Sequence, residues 1–581
     1  MSGDDSDFTV RPGKVRDGGS ASGRRAQKLA AQVRRVAARG GQARRPAGPG
    51  RGGTGHLGRG RSAALRARFA RDRRRVVIKA RVVRHHGARY RAAPLARHVA
   101  YLERDGVTRD GRDANLFDRT NERADGNAFG ERCEDDRHHF RFIVSPEDAT
   151  EMADLRTFTR ELMDDMARDL GTELDWVAVD HWNTDNPHIH VLVRGKASDG
   201  TDLVIDRDYI REGMRARAEE RVTIELGPRS EREITASLER EVEADRWTSL
   251  DRRLQRLAEE AGGVVDLRPG GRSAGGEQRT LLLGRAAKLE RLGLAQRTAP
   301  ATWSLKPGIE EILRDLSIRT DIIKTMHRAM SATTRGADVS VFALQPEALA
   351  DPIIGRLVER GLHDELAGTA YAVIDGADGR AHHVRFHDLD LTGDAAPGAI
   401  VQVRSWADPK GGVRLSLAVR SDMPLEQQVT ARGATWLDRQ LAGREPVATA
   451  GGFGQDIRDA MSRRADHLVG EGLARRVGDH VTPDRGLLDK LRVRDVAASA
   501  ARTEAAIGLP YRPAASGEHV SGVYRERVTL ASGRFAMIDD GLGFQLVPWR
   551  PALDAHLGKH ITGTMGPGGS VDWALGRGLG R

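Results

Sequence analysis

Three histidines, His181, His188 and His190, flank a short polar turn at residues 183–187. The alternation of polar and apolar residues on both sides of this turn predicts two antiparallel strands. In such a hairpin His181 lies opposite His188, with Cβ atoms about 5 Å apart. His190 shares their face, because side chains two apart on a strand point the same way. We therefore predict a three-imidazole metal site with open coordination positions, which favours catalysis over a structural role.

Ligand chemistry limits the metal that such a site would hold. Imidazole nitrogen favours Mn, Co, Ni or Zn, whereas oxygen ligands in the open positions also admit Mg. The neighbouring Asp180 points away from the metal face if the strand alternates, so we expect it to support the site rather than to bind the ion. The ordinary alternative is that the histidines are solvated or hydrogen-bonded on a sheet face.

Two motifs resemble those of a known family. The histidine pattern, with Pro-His-Ile-His at residues 187–190, is similar to the metal-binding motif of HUH endonucleases. More narrowly, it resembles that of conjugative relaxases, the mobilisation nucleases related to the T-DNA border endonuclease. Residues 99–107, Val-Ala-Tyr-Leu-Glu-Arg-Asp-Gly-Val, resemble the nucleophile motif of the same relaxases. The motifs stand in the family's order, and the resemblance covers residues 75–235.

The resemblance implies that Tyr101 is the nucleophile and that the metal is Mg or Mn. A relaxase nicks one DNA strand at an origin of transfer. The tyrosine oxygen attacks the phosphodiester, which gives a 5′-phosphotyrosine adduct and a free 3′-OH, and the bond energy is kept for resealing. A divalent ion on the imidazoles would neutralise the phosphate oxygens that otherwise repel this attack.

The partners expected on this reading are single-stranded and duplex DNA at an origin of transfer. A type IV coupling protein and accessory relaxosome proteins are expected as well, and the protein would be exported with the DNA to a recipient cell. Arg104 and Lys196 are candidates for contacts with the DNA backbone. His139, on a predicted neighbouring strand, is a candidate phosphate contact, although an ordinary strand-edge histidine explains it equally well.

Other functions remain open from the sequence. HUH replication initiators and related transposases place their tyrosine after the histidine motif, and Tyr209 is the candidate for that chemistry. A non-catalytic DNA-binding protein with a degenerate site is another possibility. A three-histidine zinc hydrolase of a small substrate is a fourth, but no glutamate base stands beside His188 or His190.

Charge is distributed very unevenly along the chain. Residues 11–90 contain 24 lysines and arginines but only two acids, Asp17 and Asp72, whereas the net charge of all 581 residues is only +10. A Gly-, Arg- and Ala-rich segment of this kind buries no core, so we expect a disordered arm. Its natural partner is a polyanion, bound without sequence preference. A merely solubilising arm is the alternative.

The remaining composition indicates a cytoplasmic protein. The single cysteine, Cys133, excludes an internal disulfide and fits a reducing compartment. No apolar run approaches the length of a membrane span, so we expect no membrane insertion, and the first ten residues do not form a secretory signal.

Strands and helices alternate around an antiparallel hairpin, which predicts an α+β fold: an HUH-type relaxase domain with helices on an antiparallel sheet. One helix is expected to begin at Ser145 and end at Gly171, a strand to span residues 202–205, and a second helix to run from Arg207 to Leu226.

Downstream, the sequence Gly-Leu-Ala-x-Arg occurs twice, at Gly293 and Gly472, each time between a helix and a strand. This pattern resembles a winged helix, although two helical hairpins would also explain it. The predicted organisation is a basic disordered arm at 1–74, the relaxase domain at 75–235, a helical winged-helix-like segment at 236–330, a small β-rich and barrel-like domain at 331–425, a second winged-helix-like unit at 426–500 and a β-rich segment at 501–581.

Overall fold

The computed structural model describes residues 73–85, 95, 98–99, 102–103, 114–182, 187–269, 276–331, 333, 338–344, 351–407, 412–443, 447–478, 480–566 and 570–574. Tyr101, Arg104 and the basic arm before residue 73 lie outside these ranges. The chain divides into two compact units between Ile322 and Ile323. The described part is mixed α+β, with several antiparallel sheets.

Four antiparallel strands carry the histidine hairpin, in the order β1-β2-β4-β3. Their bounds are Val76–Arg84 for β1, His138–Pro146 for β2, Trp176–His181 for β3 and His188–Arg194 for β4. His181 pairs directly with His188, which confirms the predicted register. Because the hairpin strands alternate, the imidazoles lie on one face and Ile189, Val191 and Val193 on the other.

Both faces of this sheet are covered. Helices α2, Leu155–Leu170, and α3, Met214–Leu226, pack on the face of Ile189 and Val191 and close the larger core. On the imidazole face a smaller core joins the strands to short helix α1, Gly126–Arg132, and to the segment before it. The apolar residues of that core are Leu95, Val99, Leu102, Ala114, Leu116, Phe129, Cys133, Val177, Val179 and Leu192.

The expected helix start at Ser145 is wrong. Ser145 and Pro146 instead complete the pairing of β2 with β1, and α2 begins only at Leu155. The carboxylate of Asp154 caps it by accepting a backbone amide of the first turn at 3.0 Å. The predicted end is confirmed, since Gly171 adopts the left-handed conformation, with φ +64°, that suits a helix C-terminus.

The helix predicted from Arg207 to Leu226 is present, with a π-helical turn, Tyr209–Gly213, near its start and before α3. A Cβ on Gly213 would lie 2.4 Å from the Tyr209 ring, so only glycine allows this turn to close on the tyrosine. The strand predicted at 202–205 is reduced to isolated bridges, one of which joins Lys196 to Asp202.

The rest of the first unit is a helical segment with a small sheet of order β5-β7-β6. Its elements are α4 Glu231–Val242, α5 Ser249–Glu260, β5 Val264–Asp266, α6 Gly276–Arg291, β6 Ala295–Ala299, β7 Thr302–Leu305 and α7 Ile309–Ser331, the last of which runs into the second unit. Helix α4 crosses the predicted boundary at 235, which therefore falls inside a helix and not in a linker.

The second unit contains two sheets with a helical segment between them. The first sheet has the order β13-β12-β9-β10-β11-β8, with β8 Phe342–Leu344, β9 Ile353–Asp364, β10 Thr369–Gly376, β11 Ala381–Phe386, β12 Ile400–Ala407 and β13 Val413–Ser421. The helical segment comprises α8 Leu425–Val429, α9 Trp436–Leu441, α10 Phe453–Gly470, β14 Ala474–Val477, β15 His480–Pro483 and α11 Leu487–Ile507. Helix α11 crosses the predicted boundary at 500.

The last sheet repeats the connectivity of strands β9 to β13. Its order is β18-β17-β16-β19-β20, with β16 His519–Leu530, β17 Gly533–Asp539, β18 Phe544–Pro548, β19 His560–Met565 and β20 Val571–Trp573. In both sheets the first long strand pairs antiparallel with the second and the fourth, and the fifth pairs with the fourth. A short 3-10 helix precedes the fourth strand each time, at residues 389–392 and 551–556.

The two sheets also share one close backbone contact. A Cβ on Gly355 would lie 2.2 Å from the carbonyl oxygen of Asp375, and a Cβ on Gly522 would lie 2.4 Å from that of Asp539. In each case the glycine belongs to the first strand and the aspartate to the second. The same steric requirement at the same place indicates that the second unit contains two copies of one sheet design.

Candidate metal centre

The three imidazoles predicted from the hairpin converge in the structure. Their rings are buried, and ring centroids lie 5.4 Å apart for His181 and His188, 4.6 Å for His181 and His190, and 4.9 Å for His188 and His190. One ligand atom from each lies within 4.8 Å of those of the others, so the group can hold a metal ion. The hairpin register brings the imidazoles together, because a slip of one residue would move every side chain of the strand to the other face of the sheet.

The donor set fits a divalent metal. Nε2 of His188 and Nε2 of His190 are 3.0 Å apart, a separation that suits two ligands of one ion bonded at about 2.0–2.1 Å. Metal ligation requires neutral imidazoles, so binding of an ion here would weaken at acid pH. Three nitrogen ligands leave coordination positions for oxygen, which is the pattern of catalytic sites rather than structural ones.

The backbone of the segment that carries Tyr101 reaches this group. Leu95, His98, Val99 and Leu102 are helical, and the apolar side chains among them are buried in the smaller core. The carbonyl oxygen of Leu102 accepts a hydrogen bond from Nε2 of His181 at 2.9 Å. Leu102 directly follows Tyr101 in the sequence. Tyr101 itself lies outside the described residues.

A second imidazole cluster lies further along the same sheet face. Nε of Arg141 donates to Nε2 of His139 at 3.0 Å, and Nδ1 of His139 lies 2.8 Å from Nε2 of His85. Burial, followed by the charges of Arg141 and His85, lowers the pKa of His139 well below its usual range. Arg141 stands two residues before Ile143, which pairs with His190, so both clusters belong to one continuous face.

The remaining predicted site residues lie apart from the imidazoles. Asp180 points to the opposite face, where its carboxylate accepts from Nε of Arg156 at 2.9 Å and from the Trp182 indole at 2.7 Å. Lys196 forms an ion pair with Asp202 at 2.8 Å beyond the end of β4. Arg104 lies outside the described residues. Neither Asp180 nor Lys196 is therefore a ligand of the metal group.

Tyr209 is packed in the larger core, on the sheet face opposite the imidazoles. Its hydroxyl donates to Asp169 at 3.2 Å. Burial, reinforced by the Asp169 charge, raises the pKa of Tyr209 far above its usual range. A phenol of this kind is a poor nucleophile, because the oxyanion that would attack is disfavoured.

Arg141 and His85 were not singled out by the sequence analysis. Strand alternation could have found Arg141, since it shares its face with His139 and its strand pairs with the hairpin. His85 follows the last residue of β1, and only the β1–β2 register brings it beside His139. The carbonyl of Leu102 carries no side-chain signal, so residue types could not have revealed it.

Comparison with protein-family models places the C-terminal part of the chain in a family described as protein of unknown function, DUF3363. Residues 282–412 and 407–581 match, which together exceed half of the chain, so the chain belongs to this family. The matched residues begin after the imidazole group. No curated protein and no solved structure matches the chain. Within the described residues, the helices lack the length and apolar character needed to cross a membrane.

Proposed function

We propose that this protein is a relaxase of the HUH endonuclease type. It would nick one DNA strand at an origin of transfer and become joined to its 5′ end through Tyr101. The observation that carries the proposal is the gathering of three buried imidazoles with the carbonyl of Leu102, the residue after Tyr101. Leu102 belongs to the tyrosine motif, and its carbonyl contacts a histidine about eighty residues later in the sequence, which supports a shared site.

The chain's own residues would divide the work as follows. The Tyr101 oxygen forms a bond to phosphorus while the bond from phosphorus to O3′ breaks, and the phenolic proton leaves as the 3′ hydroxyl gains one. His181, His188 and His190 would hold a divalent ion, Mg or Mn, which when bound offsets the charge of the phosphate oxygens. The sheet fixes these imidazoles before substrate arrives, so little reorganisation is needed.

The cluster of Arg141, His139 and His85 fits a role in holding the DNA strand beside the metal. The Arg141 guanidinium is permanently charged and suits phosphate oxygens. Its hydrogen bond to His139 fixes the orientation of both side chains. A neutral His139 accepts from Arg141 without adding a second positive charge beside the guanidinium.

The element order of the two downstream helical segments supports a role in DNA binding. Each has a helix, a two-stranded hairpin and a second helix, and the hairpin begins at the repeated Gly-Leu-Ala sequence. The first segment adds a third strand in the order β5-β7-β6, as winged helices have. We propose that both are winged-helix-like units that hold duplex DNA near the nick.

A replication initiator or transposase that uses Tyr209 is less well supported. The Tyr209 hydroxyl is held by Asp169 inside the core on the wrong face of the sheet. A non-catalytic DNA-binding protein would need no buried three-imidazole group, and a small-molecule hydrolase would leave the basic arm without a partner.

The test is formation of a covalent adduct. Single-stranded oligonucleotides that tile the intergenic DNA beside the gene would be incubated with protein and Mn or Mg, and resolved on denaturing gels. Wild type and Tyr209→Phe should form an adduct, whereas Tyr101→Phe should form none. His188→Ala should lose both the adduct and the bound metal, measured by titration calorimetry with Mn.

Different losses would point to different functions. Loss of the adduct in Tyr209→Phe but not in Tyr101→Phe would transfer the assignment to an initiator-like enzyme. Metal binding without an adduct on any oligonucleotide, supercoiled duplex included, would contradict a nicking enzyme.

A further inference from the structure

The sheet formed by β9 to β13 has the connectivity of an oligonucleotide-binding barrel. Its first strand, twelve residues long, pairs with both the second and the fourth, and a short helix precedes the fourth. The fifth strand pairs with the fourth and also lies near the third, as the strands of such a barrel do. Five-stranded barrels of this type bind single strands across strands two and three and through the loop between strands four and five.

An exposed tryptophan stands on the hairpin between the fourth and fifth strands. Trp406 is 41% exposed and is the only exposed tryptophan in the part of the chain that the structure describes. Its neighbours Val403 and Leu415 point into the barrel core. Trp406 therefore does not fill the barrel, and its exposed indole offers a flat aromatic surface on which a base can stack.

The residues around the indole are basic. Arg414 is the direct cross-strand partner of Trp406, and Arg404 shares its face two residues earlier. Gln402 lies next on that face and accepts from Nε of Arg404 at 3.0 Å. Strands β12 and β13 contain three arginines and no acid, and Asp408 and Lys410 of the connecting sequence offset one another. The face thus combines a stacking surface with positive charge.

The second barrel-like sheet lacks this combination. Its equivalent hairpin, β19 and β20, contains no arginine and places Asp572 opposite Thr564. Because the two sheets share one connectivity, the tryptophan and arginines are not a requirement of the fold. Trp573 of β20 packs against the core of its own sheet, so among the described residues an exposed indole flanked by arginines is a feature of the first copy, as expected of a binding site.

We propose that the β12–β13 hairpin binds single-stranded nucleic acid without sequence preference. One base stacks on Trp406, and the flanking phosphates pair with Arg404 and Arg414. The inference of a single-strand site depends only on the residues of the hairpin. The choice of DNA over RNA rests on the proposed function, because nicking and transfer expose a single DNA strand. This site would hold part of that strand.

The experiment measures binding of fluorescein-labelled oligo(dT) of fifteen nucleotides to the full chain by anisotropy, over a series of salt concentrations. Trp406→Ala should weaken binding by about 5- to 160-fold, the range for loss of one base–aromatic stack. Trp406→Phe should retain most of the affinity. Val413→Ala, which removes an exposed apolar side chain from the other face of the same hairpin, should change nothing.

Photocrosslinking separates this hairpin from other cationic parts of the chain. An oligonucleotide with 5-iododeoxyuridine should crosslink to the peptide that contains Trp406. Equal binding by wild type and Trp406→Ala, with no crosslink in that peptide, would overturn the proposal. Tighter binding of oligo(U) than of oligo(dT) would overturn the choice of DNA. Trp406→Ala should still form the tyrosine adduct, and Tyr101→Phe should still bind oligo(dT), so failure of either proposal is recognised separately.

Discussion

His383 is a buried histidine that should make the second unit sensitive to acid. It lies on β11, where its ring stacks on Tyr371 at 5.2 Å and 11°. Burial, followed by the nearby charges of His363 and Arg385, lowers the pKa of His383 to about 3. The unfolded chain takes up a proton below the ordinary value of 6.5, while the folded chain does not. Stability is therefore fully present above pH 6.5 and is lost as the pH falls towards 3.

The expected result is a pH-dependent difference between wild type and His383→Gln. From pH 7.5 to pH 5, wild type should lose about 2 kcal/mol of unfolding free energy through this group, since the loss is about 1.4 kcal/mol for each pH unit below 6.5. His383→Gln should lose about 2 kcal/mol less unfolding free energy than wild type over the same pH range. Urea unfolding of the full chain at each pH measures the difference. His480→Gln, at an exposed histidine of β15, is the control. Parallel pH profiles for wild type and His383→Gln would contradict the assignment.

At the scale of elements, one buried ion pair recurs in both helical segments. Arg464 of α10 binds Asp438 at 2.8 and 2.9 Å and donates to the carbonyl oxygens of Val429, Ala431 and Gly433. Arg285 of α6 binds Asp251 in the same way and donates to carbonyls at the end of α4 and beyond. Each aspartate also completes a capping box with a threonine. One guanidinium thus fastens three helices together.

Removal of either guanidinium should be strongly destabilising. Arg464→Met would leave Asp438 buried without its counter-ion, and breaking a buried pair in this way costs about 3–5 kcal/mol. Arg464→Lys should not restore stability, because an ammonium cannot form the two-pronged contact. The adjacent Arg463 is exposed and pairs with Glu426 on the surface, so Arg463→Met should cost less than about 1 kcal/mol. The free energies of unfolding of these variants would be measured with urea on the full chain. Equal losses for Arg464→Met and Arg463→Met would contradict a stabilising role for the buried pair.

Sequence patterns predicted the elements better than these connections. Alternation was sufficient for the β3–β4 hairpin and its register, because the face of β4 opposite its histidines is apolar throughout. The start of α2 was predicted less well. Pro146 suggested a helix start, but it ends a paired strand, and α2 begins nine residues later. Pairing with a distant strand overrode the local helix signal there.

The buried arginines show why tertiary contacts stayed hidden. Asp251 and Arg285 are 34 residues apart, whereas Asp438 and Arg464 are 26 apart, so no fixed spacing reveals the pair. A usable signal was nevertheless present. Each arginine stands eight residues before the glycine of the repeated Gly-Leu-Ala sequence, on a helix face that is otherwise apolar. For the candidate metal group, one hairpin in the sequence was enough to predict the three histidines. The contact of Leu102 with His181 was not predicted, because it depends on the packing of a distant segment.

At the scale of the whole molecule, charge separates the chain into two parts. Residues 1–72 carry a net charge of +12 and residues 73–581 carry −2. Many arginines of the folded part are already paired, as Arg217 is with Asp169 and Arg534 with Asp422. If the chain binds DNA as proposed, attraction to duplex DNA from a distance should therefore come mainly from the first 72 residues.

Deletion of residues 1–72 should weaken binding to non-specific duplex DNA and flatten its dependence on salt. Each phosphate contact contributes a slope of about −0.9 to a plot of log affinity against log salt, and the deletion removes 17 lysines and arginines. A chain of full length with those residues changed to glutamine is the matched control and should behave like the deletion. Adduct formation on a short single strand should persist in both. An unchanged salt slope would show that the folded part supplies the phosphate contacts, and the segment would then be a solubilising one.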